Sequence, residues 1–92
     1  MRAAKVDANH AEIRDGLRAL GAYVIDTHGL GNGFADLVAW TWEAGWQLLE
    51  VKTPRGRLTK AERELQEACP GPIWIVRTLE DAAAKMGLEV GK

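Results

Sequence analysis

Three charged residues stand in segments whose other residues are mostly apolar. Asp36 lies in the run FADLVAW, and Glu50 and Lys52 lie in the run WQLLEVK, both of which have the composition of β-strands. Asp is depleted in strands, and burying a charge costs several kcal/mol unless it is paired or bound to a metal. A simple pair between Glu50 and Lys52 at a strand end is the alternative that this segment alone leaves open.

The spacing of these residues predicts that two carboxylates face each other. The two runs are separated by a predicted turn at residues 43–45 and are expected to form a hairpin. Pairing close to that turn places Trp40 opposite Trp46, and Asp36 then falls opposite Glu50. Facing carboxylates repel unless a cation lies between them, and hard divalent cations such as Mg²⁺ suit oxygen ligands. A twist or bulge that separates the two carboxylates is the alternative.

A cluster of basic residues follows the predicted hairpin directly. Five of the twelve Lys and Arg residues lie between positions 52 and 63, against one acidic residue, Glu62. Beside a carboxylate–metal site, such a cluster is typical of a surface that contacts phosphate groups, and a helix N-terminus after Thr59 would add a favourable dipole. A solvated basic loop is the ordinary alternative. The residues expected to contact nucleic acid are Arg55, Arg57, Lys60, Arg63 and, from the preceding Gly-rich loop, His28.

Glu12 and the two histidines are further candidates for a site. Glu12 lies beside the apolar stripe of the first predicted helix and could join the two carboxylates, or it could form a capping box with Asn9 or be solvated. His28 follows Asp26 by two residues, but one cysteine and two histidines at these spacings do not make a zinc motif. We therefore expect His28 in a loop near the substrate and His10 on a helix face.

The elements that would position these residues follow from hydrophobic periodicity, turn residues and helix caps. The predicted order α-β-β-β-α-β-α forms one domain over residues 1–92. Its predicted fold class is α/β, with an α+β mixed sheet flanked by helices. Apolar residues on both faces of the third strand predict that it is central and covered. The predicted helices span residues 6–20, 59–69 and 78–87, and the predicted strands span residues 22–27, 34–40, 46–52 and 73–77.

Composition excludes several classes of protein. Twelve basic and thirteen acidic residues give a formal net charge of −1, which excludes a globally basic DNA-coating protein. The single cysteine excludes an internal disulfide framework, and no apolar segment is long enough to span a membrane. We therefore expect a soluble, cytoplasmic protein without a membrane partner.

The arrangement resembles the PD-(D/E)xK nucleases, and more narrowly the small stand-alone VRR-NUC domains of phages and bacteria. Asp36 and the Glu-Val-Lys of residues 50–52 match the signature. The resemblance extends over residues 8–76, because it includes Glu12 in the first helix, the Gly-rich segment at residues 29–34 that precedes Asp36, and the basic loop that follows Lys52. Two positions depart from the pattern. Ala35 replaces the usual proline, and Glu62 stands where the family often carries glutamine, with Gln66 one turn further on.

The resemblance implies a restriction-endonuclease-like αβββαβ core and a Mg²⁺-dependent DNA endonuclease, with Mn²⁺ as a substitute ion. Asp36 and Glu50 would bind the metal together with the carbonyl of Val51. Lys52 would orient or activate the attacking water or stabilise charge on the phosphorane, and Glu12 would hold metal-bound water. The expected substrate is duplex or branched DNA.

Two other functions remain open at this point. A non-catalytic nucleic-acid-binding module that retains the nuclease fold would bind DNA without cleaving it, and a small interaction domain would bind neither DNA nor Mn²⁺. Trp40, Trp42 and Trp46 cluster around the predicted hairpin turn and are expected in the core or in a dimer interface. We expect a homodimer, because two sites could then act on the two strands of a duplex or junction.

Overall fold

The computed structural model describes residues 8–31, 33–69 and 71–90. The elements follow the predicted order. Residues 6 and 7 of the helix predicted over residues 6–20 lie outside the described residues, and residues 8 and 9 form a turn, so the helix begins only at His10. Among the described residues, no helix combines the length and the apolar character that a membrane crossing requires. The elements are α1 His10–Ala19, β1 Tyr23–Asp26, a short 3-10 helix His28–Leu30, β2 Leu37–Thr41, β3 Gly45–Val51, α2 Lys60–Ala68, β4 Ile73–Val76 and α3 Leu79–Lys85.

The four strands form one mixed sheet in the order β1-β2-β3-β4. β1, β2 and β3 are antiparallel neighbours, whereas β4 pairs in parallel with β3 after the crossover that contains α2. The predicted hairpin register is confirmed, because Trp40 pairs with Trp46. The protein is thus a small α+β fold with a four-stranded mixed sheet.

One face of the sheet is covered by α1 and α3. Ile13 and Leu17 of α1 are fully buried, as the three-to-four-residue spacing of the helix predicts. Gly16 lies between the two helices, since a Cβ atom there would come within 2.6 Å of the Leu79 side chain of α3. The strand residues buried on this face are Val24, Leu37, Ala39, Leu49, Val51 and Val76.

The opposite face of the sheet is only partly covered, which corrects the expectation that both faces of β3 are buried. β3 is central, but Trp46 is 57% exposed, and its edge-to-face partner Tyr23 on β1 is also exposed. Trp42 is 87% exposed at the hairpin turn, and Trp40 is half-buried beside it. The aromatic cluster therefore does not belong to the core, because α1 and α3 both pack on the other face.

The helix caps form as predicted. Thr59 and Glu62 make a reciprocal capping box at the start of α2, and Thr78 accepts a hydrogen bond from the backbone N–H of Asp81 at the start of α3. The first turn of α2 packs tightly against the Gly-rich loop. A Cβ atom on Gly33, whose φ is +78°, would lie 2.6 Å from the carbonyl carbon of Ala61. This contact places the N-terminus of α2 near the chain that leads to Asp36.

Candidate active site

Asp36 lies at a bend immediately before β2, which corrects the predicted strand over residues 34–40. Its backbone N–H donates to the carbonyl of Leu49 at 3.0 Å, and its carboxylate Oδ2 accepts from the backbone N–H of Val51 at 2.8 Å. The Asp36 carboxylate thus accepts a hydrogen bond that a backbone carbonyl would accept in a continued β2–β3 ladder. β2 therefore begins only at Leu37. The side chain of Asp36 is fixed by this bond at the end of β3, where Glu50 lies.

Glu50 and Lys52 are both buried at the C-terminal end of β3, with 2% and 7% of their surface exposed. The Lys52 Nζ atom lies 3.7 Å from Glu50 Oε2 but only 2.8 Å from Oε1 of Glu62. The simple Glu50–Lys52 pair therefore does not account for these residues. Glu50 Oε2 is buried and has no hydrogen-bond partner in the described part of the chain.

Glu62 joins this group and does not serve only as a helix cap. Its Oε1 atom accepts the backbone N–H of Thr59 at 2.8 Å and also contacts the Lys52 ammonium. The residue that departs from the family pattern thus occupies the site itself. Gln66 lies elsewhere, since its side-chain amide donates to the carbonyl of Ile73.

The carboxylate cluster consists of the carboxyl groups of Asp36, Glu50 and Glu62 together with the Lys52 ammonium, and the pKa values of the three carboxyls diverge. Burial, then contact with the carboxyls of Glu62 and Asp36, raises the pKa of Glu50 to about 10. Burial also raises the pKa of Asp36. Burial acts in the same direction on Glu62, but hydrogen bonds with Glu50, Lys52 and the Thr59 backbone lower its pKa to about 2. Without a further cation, the cluster therefore retains a proton at neutral pH.

The basic residues after β3 are exposed, and the loop that carries the first two is anchored to the fold. The Arg77 guanidinium donates to three loop carbonyls, those of Thr53 at 2.6 Å, Pro54 at 3.3 Å and Gly56 at 2.9 Å. This anchor holds the loop close to the end of β3 and leaves its basic side chains in solvent. The exposed basic residues are Arg55, Arg57, Lys60 and Arg63.

Glu12 is exposed on α1, whereas His10 of the same helix is buried. The capping-box alternative for Glu12 is wrong, because Asn9 makes no side-chain cap. The Asn9 amide donates instead to the carbonyls of Lys52, at 3.1 Å, and Arg77, at 2.6 Å. Asn9 thus links α1 to the C-terminal end of β3, where Glu50 and Lys52 lie. The sequence did not reveal this role, because an Asn before a helix is ordinarily a cap.

His28 belongs to a second cluster, with Asp26 and His10. Its Nδ1 atom lies 3.0 Å from Asp26 Oδ1, and His10 Nε2 lies 3.0 Å from Asp26 Oδ2. The three side chains come together only in the fold, because His10 lies sixteen residues before Asp26 on a different element. The sequence showed the Asp26–His28 spacing, but it gave no sign that His10 joins the pair.

Comparison with known proteins provides no assignment. No family model matches the chain, and no significant match was found among curated proteins or solved structures. The arrangement of Asp36, Glu50, Lys52 and Glu62 therefore carries the functional argument.

Proposed function

We propose that the protein is a metal-dependent DNA endonuclease that hydrolyses phosphodiester bonds on a restriction-endonuclease-like αβββαβ core of the PD-(D/E)xK type. The observation that carries the proposal is the convergence of Asp36, Glu50, Lys52 and Glu62 at one end of β3, with a buried Glu50 oxygen that lacks a hydrogen-bond partner within the described chain. Buried carboxylates of this kind are ordinarily paired or bind metal ions.

The donor set fits Mg²⁺ or Mn²⁺. Hard divalent cations take carboxylate and carbonyl oxygens, and they favour the ionised form of a carboxyl group. Asp36 and Glu50 would hold the ion, together with the carbonyl of Val51, whose side chain is fully buried in the core. When bound, such an ion lowers the pKa of water and polarises the phosphate oxygen.

Lys52 supplies a fixed positive charge in the same site. Its ammonium is oriented by Glu62 at 2.8 Å and by Glu50 at 3.7 Å, so little reorganisation is needed when negative charge develops on the phosphate. The low exposure of Lys52 strengthens this interaction by excluding water. Lys52 thereby stabilises the developing charge or orients the attacking water.

The exposed basic residues would bind the DNA backbone. Arg55 and Arg57 extend from the loop that Arg77 anchors, and Lys60 and Arg63 lie at the start of α2. Backbone contacts of this kind confer affinity without sequence preference and weaken as salt increases. Duplex or branched DNA is the proposed substrate.

A homodimer would place two such sites on the two strands of a duplex. The partly covered sheet face, with Tyr23, Ile25 and Trp46 exposed, is available for a second copy of the chain. Light scattering after size exclusion tests this arrangement directly. A monomer mass at high protein concentration would refute it.

Cleavage of a labelled DNA panel tests the function. Wild type would be incubated with duplex, flap, splayed-arm and four-way-junction DNA in Mg²⁺, Mn²⁺ or EDTA, beside Asp36→Asn, Lys52→Met and the exposed-acid control Glu67→Gln. We expect metal-dependent cleavage by wild type and the control, and at least a hundredfold loss in the two site variants. DNA binding without cleavage by folded wild type would favour the non-catalytic module. Stability unchanged by DNA or Mn²⁺ would favour an interaction domain.

A further inference from the structure

His10, Asp26 and His28 bring three ligand atoms together from three elements. His10 comes from α1, Asp26 ends β1, and His28 begins the 3-10 helix. Each imidazole contacts a different oxygen of the Asp26 carboxylate at 3.0 Å, and all three ligand atoms lie within 4.8 Å of one another. His10 is 3% exposed, whereas the side chain of His28 is 31% exposed and gives access to the cluster from solvent.

We propose that this cluster is a second metal site, which takes a divalent transition-metal ion such as Zn²⁺ rather than Mg²⁺. Two imidazole nitrogens and one carboxylate are ligands that suit zinc, cobalt, nickel or iron(II), whereas Mg²⁺ prefers an all-oxygen environment. The ligand set contains none of the residues assigned to the carboxylate cluster, so this site does not depend on the proposed nuclease activity.

The distances fit a shared ion after a small movement. Ligands about 2.1 Å from zinc and 3.0 Å apart subtend an angle of about 90° at the metal, within the range of common coordination geometries. Two ligands on opposite sides of such an ion are about 4.2 Å apart, so a spread of 4.8 Å closes with a shift below 1 Å. His28 can make that shift because it is half-exposed on a helix of three residues.

Arg14 supports the carboxylate from outside the cluster. Its guanidinium donates to Asp26 Oδ2 at 2.9 Å, and Oδ1 of Asp26 faces His28. Outer hydrogen bonds of this kind orient the ligands of metal ions in metalloproteins.

A metal ion bound by His10, Asp26 and His28 would join α1 and the 3-10 helix to the edge strand β1, which lies beside the carboxylate cluster. Thr27, between Asp26 and His28, donates its backbone N–H to the carbonyl of Asp36 at 2.9 Å and its hydroxyl to the carbonyl of Ala35 at 2.7 Å. The ion would thereby rigidify the chain that leads to Asp36. Its expected role is positioning, with the reaction itself left to the carboxylate cluster.

Metal titration of tag-free protein tests the proposal without any cleavage assay. Zn²⁺ binding would be measured by calorimetry and Co²⁺ binding by its visible spectrum, both in excess Mg²⁺ to occupy the carboxylate cluster, in wild type, His28→Ala, the exposed-acid control Glu67→Gln and the carboxylate-cluster variant Asp36→Asn. We expect one Zn²⁺ per chain under these conditions, at least tenfold weaker affinity in His28→Ala, unchanged affinity in Glu67→Gln, and Zn²⁺ binding retained in Asp36→Asn. At a free Zn²⁺ concentration 100-fold above Kd, the melting temperature of wild type should rise by about 10 °C.

Three outcomes would overturn the proposal. Equal affinity in wild type and His28→Ala would place the ion elsewhere, and loss of binding in Asp36→Asn would place it in the carboxylate cluster. Absence of Zn²⁺ binding to folded wild type would show that the cluster is only a hydrogen-bonded network around the Asp26 carboxylate. Circular dichroism of His28→Ala excludes misfolding as the cause of lost binding, and His28→Gln provides a second, more conservative variant.

Discussion

Replacing Glu50 by Gln is expected to stabilise the metal-free protein, even though it removes a buried residue of the candidate active site. The Glu50 carboxyl lies among the carboxyls of Asp36 and Glu62, and its buried Oε2 atom makes no hydrogen bond within the described chain. Gln has nearly the same shape and carries no charge. The variant therefore removes the unfavourable ionisation and keeps the packing at the end of β3.

The magnitude follows from the pKa of Glu50, which is raised from 4.5 to about 10 by burial and then by the neighbouring carboxyls. Between these values the folded protein holds one proton more than the unfolded chain, so folding stability decreases as the pH rises. The decrease is about 1.4 kcal/mol per pH unit from this group, or about 3 kcal/mol at pH 7. Glu62 does not alter this slope above pH 5, because its pKa of about 2 in the folded state leaves it ionised in both states.

Urea denaturation in EDTA from pH 4.5 to pH 8 provides the assay. The stabilities of wild type and Glu50→Gln should converge near pH 4.5 and separate to about 3 kcal/mol at pH 7, with the variant more stable. The exposed-acid variant Glu67→Gln should follow wild type throughout. Added Mg²⁺ should reduce the difference, because the ion favours the ionised carboxylate. Parallel profiles for wild type and Glu50→Gln would refute the reasoning and show that Glu50 is ionised and satisfied in the folded state.

Three further substitutions test the supports of the site by urea denaturation or proteolysis. Gly33→Ala should lower the free energy of unfolding by at least about 1 kcal/mol, because Gly33 has a positive φ and approaches α2 closely. Gly29 has open space around it, so Gly29→Ala should be nearly neutral, and equal losses in the two variants would contradict the packing argument. Asn9→Ala removes two hydrogen bonds to buried strand ends and should cost about 1–3 kcal/mol, and an unchanged stability would contradict that role. Arg77→Ala should increase the rate of trypsin cleavage after Arg55, because three hydrogen bonds that hold the loop are lost; an unchanged rate would show that other contacts hold it.

The order of elements and the hairpin register could be predicted because they depend on local signals. Periodic apolar residues, a short turn and two helix caps determine where each element begins, and the pairing of Trp40 with Trp46 follows from the turn. The coverage of the sheet could not be predicted in the same way. Tyr23 and Trp46 are aromatic and occupy strand positions, but whether a helix covers them depends on how the crossover packs.

The site was predicted where its residues share one hairpin and missed where they come from distant elements. The turn specifies the ladder as far as Leu37 and Leu49, and the side chains of Asp36 and Glu50 come together just beyond it, so their approach could be inferred. Asn9 and His10 reach strand residues from α1, across separations that no local pattern encodes. Sequence reasoning recognised these residues as helix positions, but their partners are determined by tertiary packing.

Glu62 shows how the fold connects helix capping with the charge balance of the candidate site. Gln would also complete the capping box, so the cap alone does not require a negative charge at this position. The charge does matter to Lys52, which Glu62 contacts at 2.8 Å, and to Glu50, whose pKa it helps to raise. Despite burial, hydrogen bonds lower the pKa of Glu62 to about 2, so its ionised form stabilises the folded protein at neutral pH, and the unfavourable effect of the third carboxyl falls on the ionisation of Glu50. In the proposed nuclease, the negative charge of Glu62 would also increase the electrostatic attraction of the site for a divalent cation.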